Sequence, residues 1–176
     1  MEVVGKKLFM IGGCDSNNIL SSAEAKSSDS STHSLMNISP MGRPRAFFAS
    51  TVIGSSIFVS GGISDYNEAK NEDIGYKSTE EYNSKQDKWT FLKPMLSRRN
   101  GHGLVGFHGG LLAFGGYNVD PFLFSGRKKR RREIEPVKAK ALCSFEKYNM
   151  TTHEWTKQKF EMPKCKAYFN WISLHF

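Results

Sequence analysis

The sequence lacks any apolar run that approaches the ~20 residues of a transmembrane helix. It also lacks a signal peptide's order of basic end, apolar stretch and small-residue cleavage site, because it opens Met-Glu-Val-Val-Gly-Lys-Lys. We therefore expect an intracellular protein that makes no use of a membrane. Hydrophobic residues make up 39% of the 176 residues, which is enough to build a packed core.

Motifs for catalysis and for metal binding are missing as well. The chain contains no Gly-x-Ser-x-Gly, and its five histidines show no metal-ligand spacing. The cysteines, Cys14, Cys143 and Cys165, are odd in number and form no Cys-x-x-Cys, so we expect buried free thiols and neither a zinc site nor a disulfide framework. We assign no catalytic residue, metal or cofactor, and we predict that the chain is not an enzyme.

The positive charge is concentrated in one place. The formal net charge is +8, and a single run carries six of those charges, which leaves +2 for the rest of the chain. The run comprises Arg127, Lys128, Lys129, Arg130, Arg131 and Arg132. A nucleic-acid surface needs basic residues spread along a groove or a helix, so the distribution argues against nucleic acid as the partner.

Three short apolar segments end in a pair of glycines. The pairs are Gly12-Gly13, Gly61-Gly62 and Gly115-Gly116, and they lie 49 and 54 positions apart. Each segment has the length and composition of a strand that is buried on both faces. A repeat at this interval predicts an array of similar structural units.

Two aromatic pairs follow the glycine pairs at a fixed spacing. Tyr82 precedes Trp89 by seven positions, and Tyr148 precedes Trp155 by the same seven, with polar residues between them. This arrangement predicts a hairpin with one aromatic residue on each strand.

A methionine and an arginine complete the repeated unit. Met41 precedes Arg45, and Met95 precedes Arg99, each by four positions and each ahead of an apolar strand; a weaker copy starts at Met162. The full order is Met-x-x-x-Arg, two apolar strands of which the second ends in Gly-Gly, and a Tyr–Trp hairpin. This unit of about 50 residues resembles the kelch repeat.

The resemblance implies an all-β chain that forms a partial kelch-type β-propeller. We expect a degenerate partial blade at 1–40 with a Ser-rich loop over 16–34, full four-stranded blades at 41–93 and 94–161, and the first strand of a further blade at 162–176. Because propellers close with 4–8 blades, the chain would be a fragment, would need missing blades, or would associate with itself. The repeated Gly, Tyr and Trp residues are expected to be scaffold.

In kelch proteins, partners dock on loops at one rim of the propeller. The resemblance implies that the docking loops here contain Arg43, Arg45, Arg98, Arg99 and Asn118. Arginine can donate two hydrogen bonds to one carboxylate, which suggests an acidic peptide segment of a partner protein. The alternative is that one arginine in each repeat braces a loop.

The basic run at 127–132 lies in an insertion at 117–143 that the other repeats do not have. Three interpretations remain open: a nuclear localisation signal, a patch for nucleic acid or an acidic partner, or a solvated loop. We therefore expect the cytoplasm, with the nucleus as an alternative if the run is a signal.

The resemblance implies a protein–protein interaction module. It could be the substrate-recognition part of a ubiquitin-ligase adaptor, although such adaptors usually carry a BTB domain that these 176 residues do not contain, or an actin scaffold. The alternatives are a propeller enzyme resembling galactose oxidase, which would need copper ligands, and a non-functional truncated remnant.

Overall fold

The structure is a computed structural model that describes residues 1–16, 18–29, 34–63, 75–118 and 140–168. These residues form three four-stranded sheets and no helix. The first sheet contains β1 (Glu2–Val4), β2 (Lys7–Ile11), β3 (Ala23–Ser27) and β4 (Met36–Ile38). The second contains β5 (Ala49–Ile53), β6 (Ser56–Ser60), β7 (Thr79–Asn83) and β8 (Lys88–Leu92), and the third contains β9 (Gly103–Phe107), β10 (Gly110–Phe114), β11 (Ser144–Asn149) and β12 (Glu154–Glu161). Within this part of the chain, no helix could cross a membrane.

Each sheet is an antiparallel meander in which neighbours in sequence are neighbours in space. Tyr82 lies directly opposite Trp89, and Tyr148 lies opposite Trp155, with ring centroids 5.0 and 5.3 Å apart. The predicted aromatic hairpins are confirmed. Such cross-strand aromatic pairs stabilise a sheet and present a large apolar surface on one face.

The aromatic pair of each sheet packs against the sheet before it. Phe9 of the first sheet contacts Tyr82 edge-on, with 5.9 Å between ring centroids. Phe58 of the second sheet shares a buried cluster with Tyr148 and Trp155 of the third. The sheets therefore stack side by side, and the hydrophobic core lies between them.

Each tryptophan also anchors the segment that leads into its own sheet. The indole nitrogen of Trp89 donates a hydrogen bond to the carbonyl of Ser39, and that of Trp155 donates to the carbonyl of Lys93, both at 2.8 Å. Buried indole N–H groups need such a partner. The repeated Trp is therefore scaffold, as the sequence predicts.

The glycine pairs allow close approach between sheets. Gly61 and Gly62 have φ of +63° and +86°, a region that residues with a Cβ rarely adopt. A Cβ on Gly62 would lie 2.6 Å from the carbonyl oxygen of Ala46. The pair is therefore required both for its backbone conformation and for its packing.

The first sheet differs from the prediction. The sequence predicts a loop over 16–34, whereas β3 (Ala23–Ser27) lies inside that segment and completes a four-stranded sheet with β4. The reason is an alternating pattern, since Ala23 and Ala25 are buried while Glu24 and Lys26 are partly exposed. Of the segment 162–176, in which a further strand is expected, residues 162–168 contain no strand and residues 169–176 lie outside the described residues.

The cysteines also differ from the prediction of buried free thiols. Cys143 and Cys165 form a disulfide, and Cys14 is free and exposed. The main chain explains why the two cysteines meet, because the N–H of Met162 donates to the carbonyl of Cys143 at 2.9 Å. Their separation of 22 residues gave no indication of this contact.

Candidate protein-docking rim

Three connectors each follow the last strand of one sheet and lead toward the next sheet. They lie at the same end of the strands. They comprise residues 41–47, 95–101 and 162–168, and together we call them the connector rim. At the start of each, a methionine N–H donates to a carbonyl beside the third strand of the sheet it leaves: Met41 to Ser21, Met95 to Lys77 and Met162 to Cys143, at 2.8–2.9 Å. Four residues after the methionine, a carbonyl of each connector accepts a 2.8 Å hydrogen bond from the N–H of the second glycine of a pair. These carbonyls belong to Arg45, Arg99 and Lys166.

The first rim arginine lies in the interior. Arg45 is fully buried and pairs with Glu80 of β7, with 2.7 Å between Nη2 and Oε1. Its Nη1 donates to the carbonyls of Gly61 and Ser78 at 2.7 and 3.1 Å. The other oxygen of Glu80 accepts from the N–H of Gly42 at 2.7 Å. Burial lowers the pKa of Arg45, and the Glu80 carboxylate opposes that shift.

The second rim arginine repeats this geometry one sheet later. Arg99 is fully buried, and its Nη2 lies 2.8 Å from Oε1 of Glu146 in β11. Its Nη1 donates to the carbonyls of Gly115 and Ser144, at 2.8 and 3.1 Å. The expectation that Arg45 and Arg99 face a partner is therefore wrong for this structure, and the alternative that they brace the connectors holds. No part of either guanidinium reaches the surface.

The other two predicted arginines are accessible to different degrees. Arg43 is exposed, and its guanidinium lies 5.3 Å from the ring centroid of Tyr76 and 5.9 Å from that of Phe91. Arg98 is half-buried and donates to the carbonyl of Gly75 at 2.8 Å. Arg43 therefore presents its charge to solvent while its stem and plane rest on aromatic rings.

Asn118 closes the base of the long insertion. Its side-chain oxygen accepts from the N–H of Lys140 at 2.8 Å, and its own N–H donates to the carbonyl of Lys140. This places Asn118 in a bracing position, half-buried. The basic residues 127–132 lie outside the described residues, and so does most of the insertion.

Two exposed aromatic residues on the rim were missed from the sequence. Phe47 is 50% exposed and Tyr168 is 41% exposed, and their rings meet edge-on with centroids 5.7 Å apart. Both have positive φ, at +54° and +52°. Both lie at the position that Gly101 occupies in the other connector. An aromatic residue in place of this glycine was the sequence feature that could have identified them.

Comparison with known proteins agrees with this geometry. The Kelch motif family matches residues 44–96, which run from the first connector through the second sheet. Bovine and human Kelch domain-containing protein 3 are each 28% identical over 80% of this chain. The chain contains a kelch motif and is similar to kelch-domain proteins. It spans 41% of the length of those two relatives.

A solved structure, that of YjhT, has a similar fold. The TM-score is 0.60 at 17% identity, over 87% of this chain and 51% of that one. At this identity the likeness concerns the fold alone. Together with the three four-stranded sheets, it shows that the kelch repeats form part of a β-propeller.

The described connectors of the rim carry exposed positive charges. Arg43, Lys164 and Lys166 are exposed cations on the connectors, and Lys77 lies beside them. The carboxylates of Glu80 and Glu146 are buried in ion pairs with Arg45 and Arg99, so they do not offset this charge at the surface. The arrangement favours an anionic ligand.

Among the histidines at described positions, His102 is the most deeply buried, and it lies behind the rim. It is 6% exposed, and its Nε2 lies 2.9 Å from the hydroxyl of Ser60. Burial, with the nearby Arg99 and Arg45 charges, lowers its pKa to about 3. Among the described residues, no group of three His, Cys, Asp or Glu side chains could hold a metal ion. His102 therefore has the surroundings of a neutral packing residue.

Proposed function

We propose that this kelch protein binds an acidic segment of a partner protein on its connector rim and carries out no chemistry there. The observation that carries the proposal is the charge of the rim, where Arg43, Lys164 and Lys166 are exposed and the neighbouring carboxylates are neutralised inside. Kelch repeats serve generally in protein–protein interaction, which supports a binding role.

Phe47 and Tyr168 would supply the apolar part of the contact. Exposed aromatic side chains with few rotatable bonds are common anchors at interfaces, and cations around them set the orientation of an acidic segment. The ligand would therefore carry an apolar residue flanked by aspartate or glutamate.

The experiment is a titration of fluorescent peptides in which leucine or phenylalanine is flanked by glutamates. We expect binding that weakens as salt rises, and at least about tenfold weaker binding by the Arg43→Glu variant. Phe47→Ser should weaken binding at high salt too. Lys85→Glu is the matched control, since Lys85 is exposed in the turn between β7 and β8, at the other end of these strands.

Absence of binding, or an equal loss in Arg43→Glu and Lys85→Glu, would remove the proposal. Copper uptake with a tyrosyl-radical signal would contradict its non-catalytic part.

Two cellular contexts are part of the proposal: substrate recognition for a ubiquitin ligase, and an actin scaffold. Co-sedimentation with actin filaments, lost in Arg43→Glu and kept in Lys85→Glu, would favour the scaffold. Ubiquitylation of the captured partner by a reconstituted cullin ligase would favour the adaptor.

We propose a cytoplasmic location, with nuclear entry if the run at 127–132 is a signal. A fluorescent reporter fused to residues 117–143 should then enter the nucleus, and a reporter in which the six basic residues are replaced by alanine should not. A reporter that stays cytoplasmic in both forms would remove the nuclear part.

A further inference from the structure

The two outer sheets each have one face that contacts no other sheet in the described residues, because the second sheet lies between them. On the third sheet this face is aromatic. The ring centroid of Phe145 lies 5.5 Å from that of Phe114 and 4.8 Å from that of Phe160. Phe160 is 53% exposed and Phe107, on the same face, is 45% exposed. Exposed apolar patches of this kind mark association surfaces.

The outer face of the first sheet corresponds, residue for residue, to the face by which the second sheet packs on the first. Leu8 lies opposite Lys26, just as Ile57 lies opposite Tyr82 in the second sheet. Ile57 and Tyr82 are buried against the preceding sheet, whereas Leu8 and Lys26 are only partly covered. With Val3 they line a shallow depression.

The first sheet and the connector after the third sheet each carry one partner of the ion pair that Arg45–Glu80 and Arg99–Glu146 form elsewhere. Glu24 follows Ser22 by two positions, as Glu80 follows Ser78, and both serines accept from the first glycine of a pair. Glu24 therefore holds the position of the carboxylates that bind Arg45 and Arg99, and in the described residues no arginine reaches it. At the other end, Lys166 holds the arginine position, because its carbonyl accepts from Gly116.

We propose that a second copy of this chain packs head to tail on the first, so that Lys166 of each copy pairs with Glu24 of the other. The aromatic face of the third sheet then covers Leu8 and Val3 of the second copy. The three sheets that the described residues of each chain form give six, which lies within the 4–8 blades that close a propeller. A contact between unlike surfaces that repeats and closes forms a ring without free ends. The dimer uses Lys166, which also contributes to the charge of the connector rim, so in the dimer Arg43 and Lys164 remain as the exposed rim cations.

The test is sedimentation equilibrium of the full chain and its variants. We expect twice the chain mass of 19.9 kDa. Glu24→Lys and Lys166→Glu should each weaken the dimer by at least about tenfold, and the double variant should recover most of the loss. Phe160→Ser should weaken it without unfolding the monomer, because Phe160 is half exposed. Lys26→Tyr should tighten it, since that position carries Tyr82 and Tyr148 in the other sheets.

Lys85→Glu is the control for change of charge and should leave the dimer intact. A monomer at tens of micromolar, or an open series of larger assemblies, would overturn the proposal. So would a double charge exchange that dimerises no better than the single variants while circular dichroism shows all of them folded.

Discussion

Arg45 and Glu80 form a fully buried ion pair with 2.7 Å between Nη2 and Oε1, although 35 residues separate them in the chain. The pair joins the connector to the third strand of the sheet that the connector leads into. Arg99 and Glu146 form the same pair in the next sheet. Both guanidiniums also donate to main-chain carbonyls, so each pair fixes the path of a connector.

Removal of one partner of this pair should destabilise the fold strongly. Arg45→Met leaves the Glu80 carboxylate buried without its cation, and we expect a loss of about 3–5 kcal/mol in the free energy of unfolding. Arg45→Met combined with Glu80→Leu should lose less than Arg45→Met alone, because no uncompensated charge remains. Urea denaturation measures both. Arg43→Ala is the control and should cost less than about 1 kcal/mol, as Arg43 is exposed.

The second prediction compares two glycines that share a backbone conformation but differ in how closely other atoms approach them. Gly54 and Gly61 have nearly the same φ, +61° and +63°, but a Cβ on Gly54 meets nothing within 4 Å, whereas a Cβ on Gly61 collides with the carbonyl oxygen of Arg99. Gly54→Ala should therefore cost about 1 kcal/mol, from φ alone. Gly61→Ala should cost at least about 3 kcal/mol, since backbone must move. Equal losses in thermal or urea unfolding would contradict the close approach.

The repeats could be read from the sequence because their signals are local. Gly-Gly after an apolar strand and a Tyr–Trp spacing of seven each depend on residues within one hairpin, and both were found where expected. The strand at Ala23–Ser27 was missed because its alanines are weakly apolar, although their alternation with Glu24 and Lys26 was present.

The site was harder to predict because the decisive contacts are not local. An arginine four positions after a methionine suits docking and bracing equally well, and only the buried Glu80 decides between them. The disulfide likewise depends on how a connector returns to β11. The aromatic rim residues could have been found, since Phe47 and Tyr168 replace a glycine of the repeat.

The disulfide gives a third prediction. Cys143 and Cys165 are bonded and Cys14 is exposed, so alkylation of the native, non-reduced protein should label a single thiol, at Cys14. Reduction should expose the other two. Loss of a cross-link that closes a loop of 22 residues is expected to lower the free energy of unfolding by about 3 kcal/mol. Peptide mapping without reductant identifies the linkage, and three labelled thiols in the native protein would contradict it.

A fourth prediction concerns acid stability. The folded-state pKa of His102 is about 3, below its usual 6.5, because the imidazole is buried near Arg99 and Arg45. The unfolded chain therefore takes up a proton at pH values where the folded chain does not. The resulting stability is fully present above pH 6.5 and is lost as the pH falls toward 3. Between pH 7 and pH 5 the loss should reach about 2 kcal/mol.

His102→Phe is the test, because Phe48 holds the same position after the preceding connector. The variant keeps a ring there but cannot titrate, so its unfolding free energy should change much less between pH 7 and pH 5 than that of the natural protein. His153→Ala is the control, because His153 is exposed in the turn before β12. This variant should still lose unfolding free energy between pH 7 and pH 5. A His102→Phe variant that loses stability over this range as steeply as the natural chain would show that His102 is accessible to protons in the folded state.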